Sequence, residues 1–376
     1  MRGDLAERLQ KYSAQLLQKG LYRQRQVTGT DDAVINFSSN DYLSLTSDSR
    51  IKKAYQKGFE LYPAGSGSSM VVCGYHAAHH ALEKAFAEAL DVDDCMLFSS
   101  GYAANLSVMG LLARFESHIL IDKSAHASIY DGLQLADAHY SRFLHNNVAN
   151  LAAKIKTSSS NVIVTEGIFS MSGQRAPLKE IAELGHDMVV DEAHAFGILG
   201  SQGLGSVRQH QLTQAEVPLR VIPLGKACGA SGAIVAGQGV WIEALLQSAR
   251  PHTYSTAISP AIAYGLQETL EVMRAADQRR DKLAGLVQYF REAVASSPLK
   301  WRDSDSPIQQ LQLGCSHRAL NFANKLREQS ILCLPMRQPT VSKQETGLRV
   351  ILNYHHEPEQ IDCLFKCLHQ LLIIET

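Results

Sequence analysis

NVIVTEGIFSMSGQRAPLKEIAELGHDMVVD, residues 161–191, contains two apolar runs on either side of a helical pattern. The runs NVIVTE and DMVVD are short and rich in β-branched residues, and the intervening APLKEIAEL has the spacing of an amphipathic helix. Two strands that are joined through a helix lie parallel in one sheet, because the helix carries the chain back to the edge where the first strand began. This segment therefore predicts an α/β fold.

The same alternation extends outward, from about residue 76 to residue 237. The further strand candidates are CMLF (95–98), HILID (118–122), YSRFL (140–144), RVIPL (220–224) and GAIVAG (232–237). Such near-continuous apolar strands are typical of a mainly parallel sheet with helices on both faces. Ligands of these sheets bind at the carboxyl ends of the strands, so the residues that end each run are candidates for a site.

The two ends of the chain have different patterns. The first 20 residues or so predict an amphipathic helix. Near the C-terminus, IQQLQL (308–313) alternates with period two, and the helix and strand patterns that follow it predict a small α+β domain. We therefore predict three segments: an N-terminal helical arm and linker (1–40), a large sheet domain (41–255) and a small C-terminal domain (256–376).

The composition favours a globular protein of the cytoplasm. The 376 residues are 45% hydrophobic and carry a formal net charge of -1, which gives no electrostatic reason to expect a nucleic-acid partner. The N-terminus lacks the apolar core of a signal peptide, and no apolar run approaches the ~18 residues of a membrane span. The seven cysteines are scattered, and we expect a reducing compartment and no membrane partner.

MVVDEAHAFG (188–197) allows three hypotheses. A nucleotide-driven motor with the letters Asp-Glu-Ala-His would need an upstream G-x-x-x-x-G-K-[ST] loop, which the sequence lacks. A zinc site would need three or four ligands at suitable spacing, and His194 forms no H-E-x-x-H pair. We therefore predict no metal and favour the third hypothesis, a cofactor site in which Asp191 ends its strand.

A lysine further along the chain supports the cofactor hypothesis. In VIPLGKACGASG (221–232), Lys226 follows an apolar strand among small residues that leave room for a planar ring. A lysine in this position can form a Schiff base with an aldehyde cofactor. Pyridoxal phosphate (PLP) also requires a carboxylate beside its pyridinium nitrogen, and Asp191 is the candidate for it.

Two further stretches supply groups that PLP would need. In FSSGYAAN (98–105), the amides around Gly101 and Tyr102 open a helix and can bind a phosphate. A second loop rich in small donors is YPAGSGSS (62–69). His126, in DKSAHASIYDG (122–132), follows a strand and can both stack on a ring and donate a proton.

Together these motifs resemble the α-oxoamine synthases, PLP enzymes of fold type I. The resemblance covers nearly the whole chain, from INFSSNDYLSL (35–45) through VVDEAHAFGILGSQGLGS (189–206) and YSTAISP (254–260) to RQPTV (337–341). It implies fold type I, bound PLP and a homodimer. Within the family the sequence is most similar to the members of biotin biosynthesis. The implied reaction is a decarboxylating condensation of L-alanine with a pimeloyl thioester of coenzyme A or acyl carrier protein.

The resemblance also implies a role for each site residue. Lys226 would form the Schiff base and remove the α-proton, Asp191 would hold the ring nitrogen, and His194 would hold the phenolic oxygen. His126 would stack on the ring and act on the substrate. The other cofactor contacts would be Gly101, Tyr102 and Ser170, together with Ser255 and Thr256, which would reach the phosphate bound in the partner subunit. The other substrate contacts would be Asn40, Arg337, Thr340 and Arg23, the last in LYRQR (21–25), where Arg25 is the alternative.

Some alternatives remain open. Family members that use glycine or serine, and make aminoketobutyrate, aminolevulinate or sphingoid bases, share the chemistry. A non-catalytic PLP-binding module is the alternative from another class, although Lys226, Asp191 and His126 together favour an enzyme.

One position departs from the family: three residues before the lysine the family usually has Thr or Ser, whose hydroxyl binds phosphate, and this sequence has Pro223.

Overall fold

The computed structural model describes residues 4–25, 27, 34–155, 161–338 and 340–375. The helices α1–α14 span Asp4–Gln18, Ser49–Leu61, Ala77–Leu90, Gly101–Arg114, Ala127–Leu135, Val148–Ala152, Leu178–Ala182, Gly205–Gln209, Gly239–Ser248, Arg250–Thr253, Pro260–Arg274, Asp277–Ala295, Ser316–Glu328 and Pro358–Glu375. The strands β1–β12 span Ile35–Asn36, Asp94–Phe98, His118–Asp122, Tyr140–Phe143, Asn161–Glu166, Asp187–Asp191, Leu219–Pro223, Ala233–Gly237, Ile308–Gln312, Ile331–Leu332, Leu334–Met336 and Gly347–Ile351.

These elements form two compact units. The sheet unit comprises the described residues of Asn40–Ser170 and Arg175–Asp281. The terminal unit comprises the described residues of Met1–Ser39, Met171–Gln174 and Lys282–Thr376. No finding tests the three segments predicted from the sequence, with boundaries at 40 and 255, and they stay a prediction. Residues 1–3, 26 and 28–33 of the predicted arm lie outside the described residues.

The sheet unit contains a seven-stranded sheet in the order β2-β8-β7-β6-β5-β3-β4. Strands β3 to β7 are all parallel, and β8 is antiparallel to both β2 and β7. The central strands coincide with apolar runs of the sequence, because a strand that is covered on both faces has mainly apolar residues. The edge strand β4 is more exposed. The prediction of a mainly parallel α/β sheet is confirmed.

Apolar side chains cover both faces of this sheet. Along β5, Val162 and Val164 belong to one buried cluster, whereas Ile163 belongs to the other. This alternation follows from the two-residue period of a strand. Residues of α4, α5 and α9 complete the first cluster, and residues of α6, α7 and α8 complete the second. Helices on both faces, as the sequence predicts, leave the carboxyl ends of the strands as the place for a ligand.

The terminal unit has a separate antiparallel sheet in the order β11-β12-β9, and a parallel pair of β1 with β10. The final helix, α14, buries Ile361, Leu364, Phe365 and Leu368, which are spaced at helical intervals on one face. This is an α+β arrangement, as the sequence of the tail predicts. In the described part of the chain, no helix is both long and apolar enough to cross a membrane.

Candidate functional site

The candidate site lies in the sheet unit, where β5, β6 and β7 end. Asp191 is the last residue of β6, Glu166 is the last residue of β5, and Lys226 follows β7 closely. Because the three strands are parallel neighbours, their carboxyl ends bring these side chains to one edge of the sheet. Asp191 and Glu166 are 4% and 1% exposed, respectively. The charges of both Asp191 and Lys226 act on the pKa of Glu166, so the three groups lie within electrostatic range.

Asp191 is held by a polar network. Asn105 Nδ2 donates a hydrogen bond to Asp191 Oδ2 at 2.8 Å and another to Ser128 Oγ at 3.0 Å. The backbone N–H of Ala193 donates to Asp191 Oδ1 at 2.9 Å. Each carboxylate oxygen therefore has a donor, which fixes the orientation of the group that is predicted to face a ring nitrogen. Sequence reasoning missed Asn105 and Ser128, although Asn105 lies in the FSSGYAAN motif.

His126 joins this network through Ser128. His126 Nδ1 lies 2.8 Å from Ser128 Oγ and accepts a hydrogen bond from the Ser128 N–H at 3.3 Å, so His126 is the N-cap of α5. A neutral ring that accepts at Nδ1 carries its proton on Nε2. Although much of the residue is exposed, partial desolvation lowers the pKa of His126; the charge of Asp191 opposes this shift and that of Lys226 adds to it. The ring is therefore a neutral donor at pH 7.

His194 and Asn40 are linked by a tyrosine that sequence reasoning did not include. The hydroxyl of Tyr42 lies 2.6 Å from His194 Nδ1 and 3.4 Å from Asn40 Oδ1. Tyr42 and His194 are buried. The signal was present in INFSSNDYLSL, where a tyrosine follows Asn40 closely, but nothing local indicates that its hydroxyl reaches a residue 152 positions away. The structure thus joins one residue of the predicted cofactor set to one of the predicted substrate set.

The start of α4 presents backbone donors. Ser100 is the N-cap, and its hydroxyl accepts a hydrogen bond from the Ala103 N–H at 3.2 Å. The amides of Gly101 and Tyr102 belong to the first turn, where no intrahelical acceptor is available. A Cβ built on Gly101 would lie only 2.5 Å from Pro223 Cγ. The proline ring therefore packs directly against the first residue of α4, and only glycine fits at position 101.

Ser255 and Thr256 lie in the loop between α10 and α11, and both are exposed in this single chain, as a role toward a partner subunit requires. The YPAGSGSS loop supports them, because Ser66 Oγ donates to the Ala257 carbonyl at 2.7 Å and the Ala257 N–H donates to the Ser68 carbonyl at 3.0 Å. The buried Ser170 follows β5 in the same unit. The roles of these hydroxyls stay predictions.

The terminal unit holds the predicted arginines. Arg337 Nη1 donates to the carbonyl of Gly20 at 2.7 Å and to that of Tyr22 at 3.2 Å. Burial lowers the pKa of Arg337, and the positive charge of Arg23 lowers it further. Arg23, rather than Arg25, is therefore the arginine whose charge reaches Arg337, and a bound carboxylate would relieve the repulsion between the two cations. Thr340 is exposed.

The groups at the strand edge fit PLP. The fixed carboxylate of Asp191 suits the pyridinium nitrogen, and the His194–Tyr42 pair suits the phenolic oxygen. The amine of Lys226 suits the aldehyde, and the amides of the α4 N-terminus suit the phosphate. Each polar group of the cofactor thus has a counterpart of matching chemistry.

Comparisons with known proteins agree with this fit. Residues 32–368 match the family of class I and II aminotransferases. The 8-amino-7-oxononanoate synthase of Pseudomonas putida (strain GB-1) is 39% identical over 379 aligned residues, which cover 97% of this chain and 96% of that protein. A crystal structure of 8-amino-7-oxononanoate synthase from Francisella tularensis has a TM-score of 0.83 and 31% identity, and the match covers 92% of this chain and 99% of that one.

The serine palmitoyltransferase of S. paucimobilis, solved with a bound PLP–myriocin adduct, has a TM-score of 0.88 at 23% identity over 98% of both chains, which shows a shared fold. The predictions of fold type I, of PLP as cofactor and of an acyl-transferring enzyme are confirmed. The chain belongs to the 8-amino-7-oxononanoate synthases, PLP-dependent acyltransferases within the family of class I and II aminotransferases.

Proposed function

We propose that this enzyme condenses L-alanine with a pimeloyl thioester and forms 8-amino-7-oxononanoate, carbon dioxide and a free thiol, as a step of biotin biosynthesis. The observation that carries the proposal is the 39% identity, over 97% of the chain, to a protein named for that product. Sequence identity to the serine palmitoyltransferase of S. paucimobilis is only 23%. Alanine is therefore favoured over serine as the amino acid.

The chain's own residues have distinct tasks in this reaction. Bound PLP supplies an electron sink that makes the α-carbon of the amino acid acidic. Asp191 would keep a proton on the ring nitrogen, and Lys226 Nζ would accept the α-proton of alanine. His126 would donate a hydrogen bond from Nε2 to the thioester carbonyl oxygen, which gains negative charge when the new carbon–carbon bond forms.

Substrate carboxylates would be bound by arginine and amide groups. Arg337, with the charge of Arg23 close by, is the proposed carboxylate contact of the terminal unit, and Thr340 would add a hydroxyl. Asn40 is the proposed contact of the sheet unit. We also propose a cytoplasmic homodimer in which Ser255 and Thr256 of one subunit reach the phosphate held by the other.

The proposal is tested by incubating the purified holoenzyme with alanine, glycine or serine and with pimeloyl-coenzyme A or pimeloyl-acyl carrier protein. Thiol release and the mass of the product are followed, with the Lys226→Ala variant as the control. We expect product from alanine and from at least one of the two pimeloyl donors. Thiol release with glycine or serine, but not with alanine, would overturn the proposal.

A further inference from the structure

One buried carboxyl at the strand edge has no role in the reaction as proposed above. Glu166 ends β5, and its Cα pairs with that of Asp191 across the β5–β6 register. Only 1% of the residue is exposed. Among the described residues, no hydrogen-bond partner lies within reach of Glu166 Oε1. A buried polar atom in this state is costly, which calls for a compensating contribution at the site.

The same carboxyl interacts with two other site segments. The backbone N–H groups of Ser170 and His126 both act on it as hydrogen-bond donors. Ser170 follows β5, whereas His126 follows β3. The Glu166 side chain therefore connects the backbone at His126 with the backbone at Ser170. It does so from the strand next to the one that ends in Asp191.

We infer that Glu166 is a positioning residue, which ties the backbone of His126 and Ser170 to the strand edge that carries Asp191. The inference rests on the proposed function, because the roles of these three residues come from it. A one-ångström displacement of a catalytic group costs rate, so a buried tie between the segments that carry them has functional value.

The charge state of Glu166 follows from its surroundings. Burial raises the pKa of Glu166 well above its ordinary value, and the negative charge of Asp191 raises it further. The positive charge of Lys226 and the two amides oppose the shift. Burial therefore favours the neutral, protonated form of Glu166. The neutral form suits the site, because an ionised Glu166 would compete with Asp191 for the positive charge of Lys226.

The first test compares the wild type with Glu166→Gln as pH changes. Between the ordinary pKa of 4.5 and the raised one, the folded state holds a proton that the unfolded state has lost, so wild-type stability falls as pH rises. Glutamine does not titrate. At saturating PLP, the wild-type Tm should therefore fall relative to that of Glu166→Gln as pH rises above the ordinary pKa of 4.5. A Tm difference that stays constant with pH would show that folding does not raise the pKa of Glu166.

The second test asks whether Glu166 positions the cofactor site, and it measures the PLP dissociation constant and the pH titration of the cofactor absorbance. Glu166→Ala should raise the PLP dissociation constant by about tenfold and shift the pH titration of the cofactor absorbance, because two hydrogen bonds are lost. Glu166→Gln keeps an acceptor oxygen and should restore both values to within about threefold. The matched control is Glu192→Gln: Glu192 is equally buried, but it accepts its hydrogen bonds from Ser206 and Val207. That control should change Tm without a change in PLP affinity.

The outcomes separate the inference from the proposed function. Wild-type PLP binding and absorbance titration in a folded Glu166→Ala variant would overturn the positioning role, and so would a Glu166→Gln variant that binds PLP as weakly as Glu166→Ala. If Glu166→Ala does not fold, Glu166→Gln must bind PLP within about threefold of the wild type, and weaker binding overturns the inference. A wild-type enzyme that binds PLP but makes no product from alanine and a pimeloyl thioester would overturn the proposed function alone.

Discussion

The two ends of the proposed cofactor site are built differently. At the ring end, Asp191, Asn105, Ser128 and His126 form one hydrogen-bonded network within a single chain. The phosphate end consists of different groups: the backbone amides at Gly101, the ring of Pro223 that packs against Gly101, and the exposed hydroxyls of Ser255 and Thr256. A satisfied network fixes catalytic groups in advance, whereas exposed donors contribute mainly to affinity. We therefore expect substitutions at the ring end to lower the rate, and those at the phosphate end to change cofactor binding.

The largest effect should come from Lys226→Ala. The variant loses the amine that we propose bonds to the cofactor and accepts the α-proton, so turnover should fall by at least about 10³-fold. Product formation and borohydride reduction of the purified protein are the measurements. A variant that still carried a borohydride-reducible link to PLP would show that another amine serves the site.

Asp191→Asn should lower α-proton exchange of alanine by about 10²-fold or more. The amide cannot stabilise a positive ring nitrogen, and the loss of a charge-assisted hydrogen bond costs about 1.5–3 kcal/mol. The amide also has one oxygen where the carboxylate has two, so either Asn105 or the Ala193 N–H loses its acceptor. Exchange of the alanine α-proton for deuterium, followed by NMR at saturating PLP, measures the effect. Near-normal exchange would remove Asp191 from the ring-nitrogen role.

His126→Ala should lower kcat by about 10–10²-fold, with a smaller effect on PLP affinity, because the variant loses the Nε2 donor that we propose acts on the substrate. Ser128→Ala is the matched comparison: it keeps the imidazole and removes the hydroxyl that connects it to Asn105. We expect it to have a smaller effect of the same sign. Steady-state kinetics with pimeloyl thioester provide both values, and an unchanged kcat for His126→Ala would reduce the histidine to packing.

Arg337→Ala should raise the KM of one substrate by about tenfold, because the variant loses the proposed charge-assisted contact with a substrate carboxylate. Arg23→Ala should have a smaller effect in the same direction. Arg25→Ala is the control, since Arg25 is exposed and its charge is not among those that act on Arg337. Equal KM values for Arg337→Ala and the wild type would withdraw both arginines from the site.

The difference between the ends also explains what the sequence could predict. Each strand of the sheet appears as an apolar run, and Asp191 and Lys226 stand where two of these runs end, so a local pattern sufficed for them. Asn105 lies 86 positions from the aspartate that it orients, and no local signal joins the two. The contact between Pro223 and Gly101 is likewise tertiary. Sequence reasoning recognised the proline as a departure from the family but could not show what it packs against.

The smallest effect concerns that proline. Pro223→Thr restores the hydroxyl that the family usually has, and a hydrogen bond to a charged phosphate contributes about 1.5–3 kcal/mol. One loss opposes this gain, because the threonine lacks the ring that packs against Gly101. The greater freedom of the unfolded chain lowers the stability of the variant by about 0.4–1 kcal/mol but leaves the affinity of the folded protein for PLP unchanged. We therefore expect PLP to bind more tightly by less than about tenfold, as measured by equilibrium titration of the cofactor-free protein.

Pro223→Val separates the hydroxyl from the shape. Valine and threonine are nearly isosteric and both suit the last position of β7, where residue 223 pairs with Ala233. Tighter binding in Pro223→Thr than in Pro223→Val assigns the gain to the hydroxyl. Equal binding in the two variants would show that other donors already satisfy the phosphate. If both variants bound PLP more weakly than the wild type, the contact of the proline ring with Gly101 would be what holds the amides of α4 in place, and the phosphate end would be pre-organised by packing where the ring end is pre-organised by hydrogen bonds.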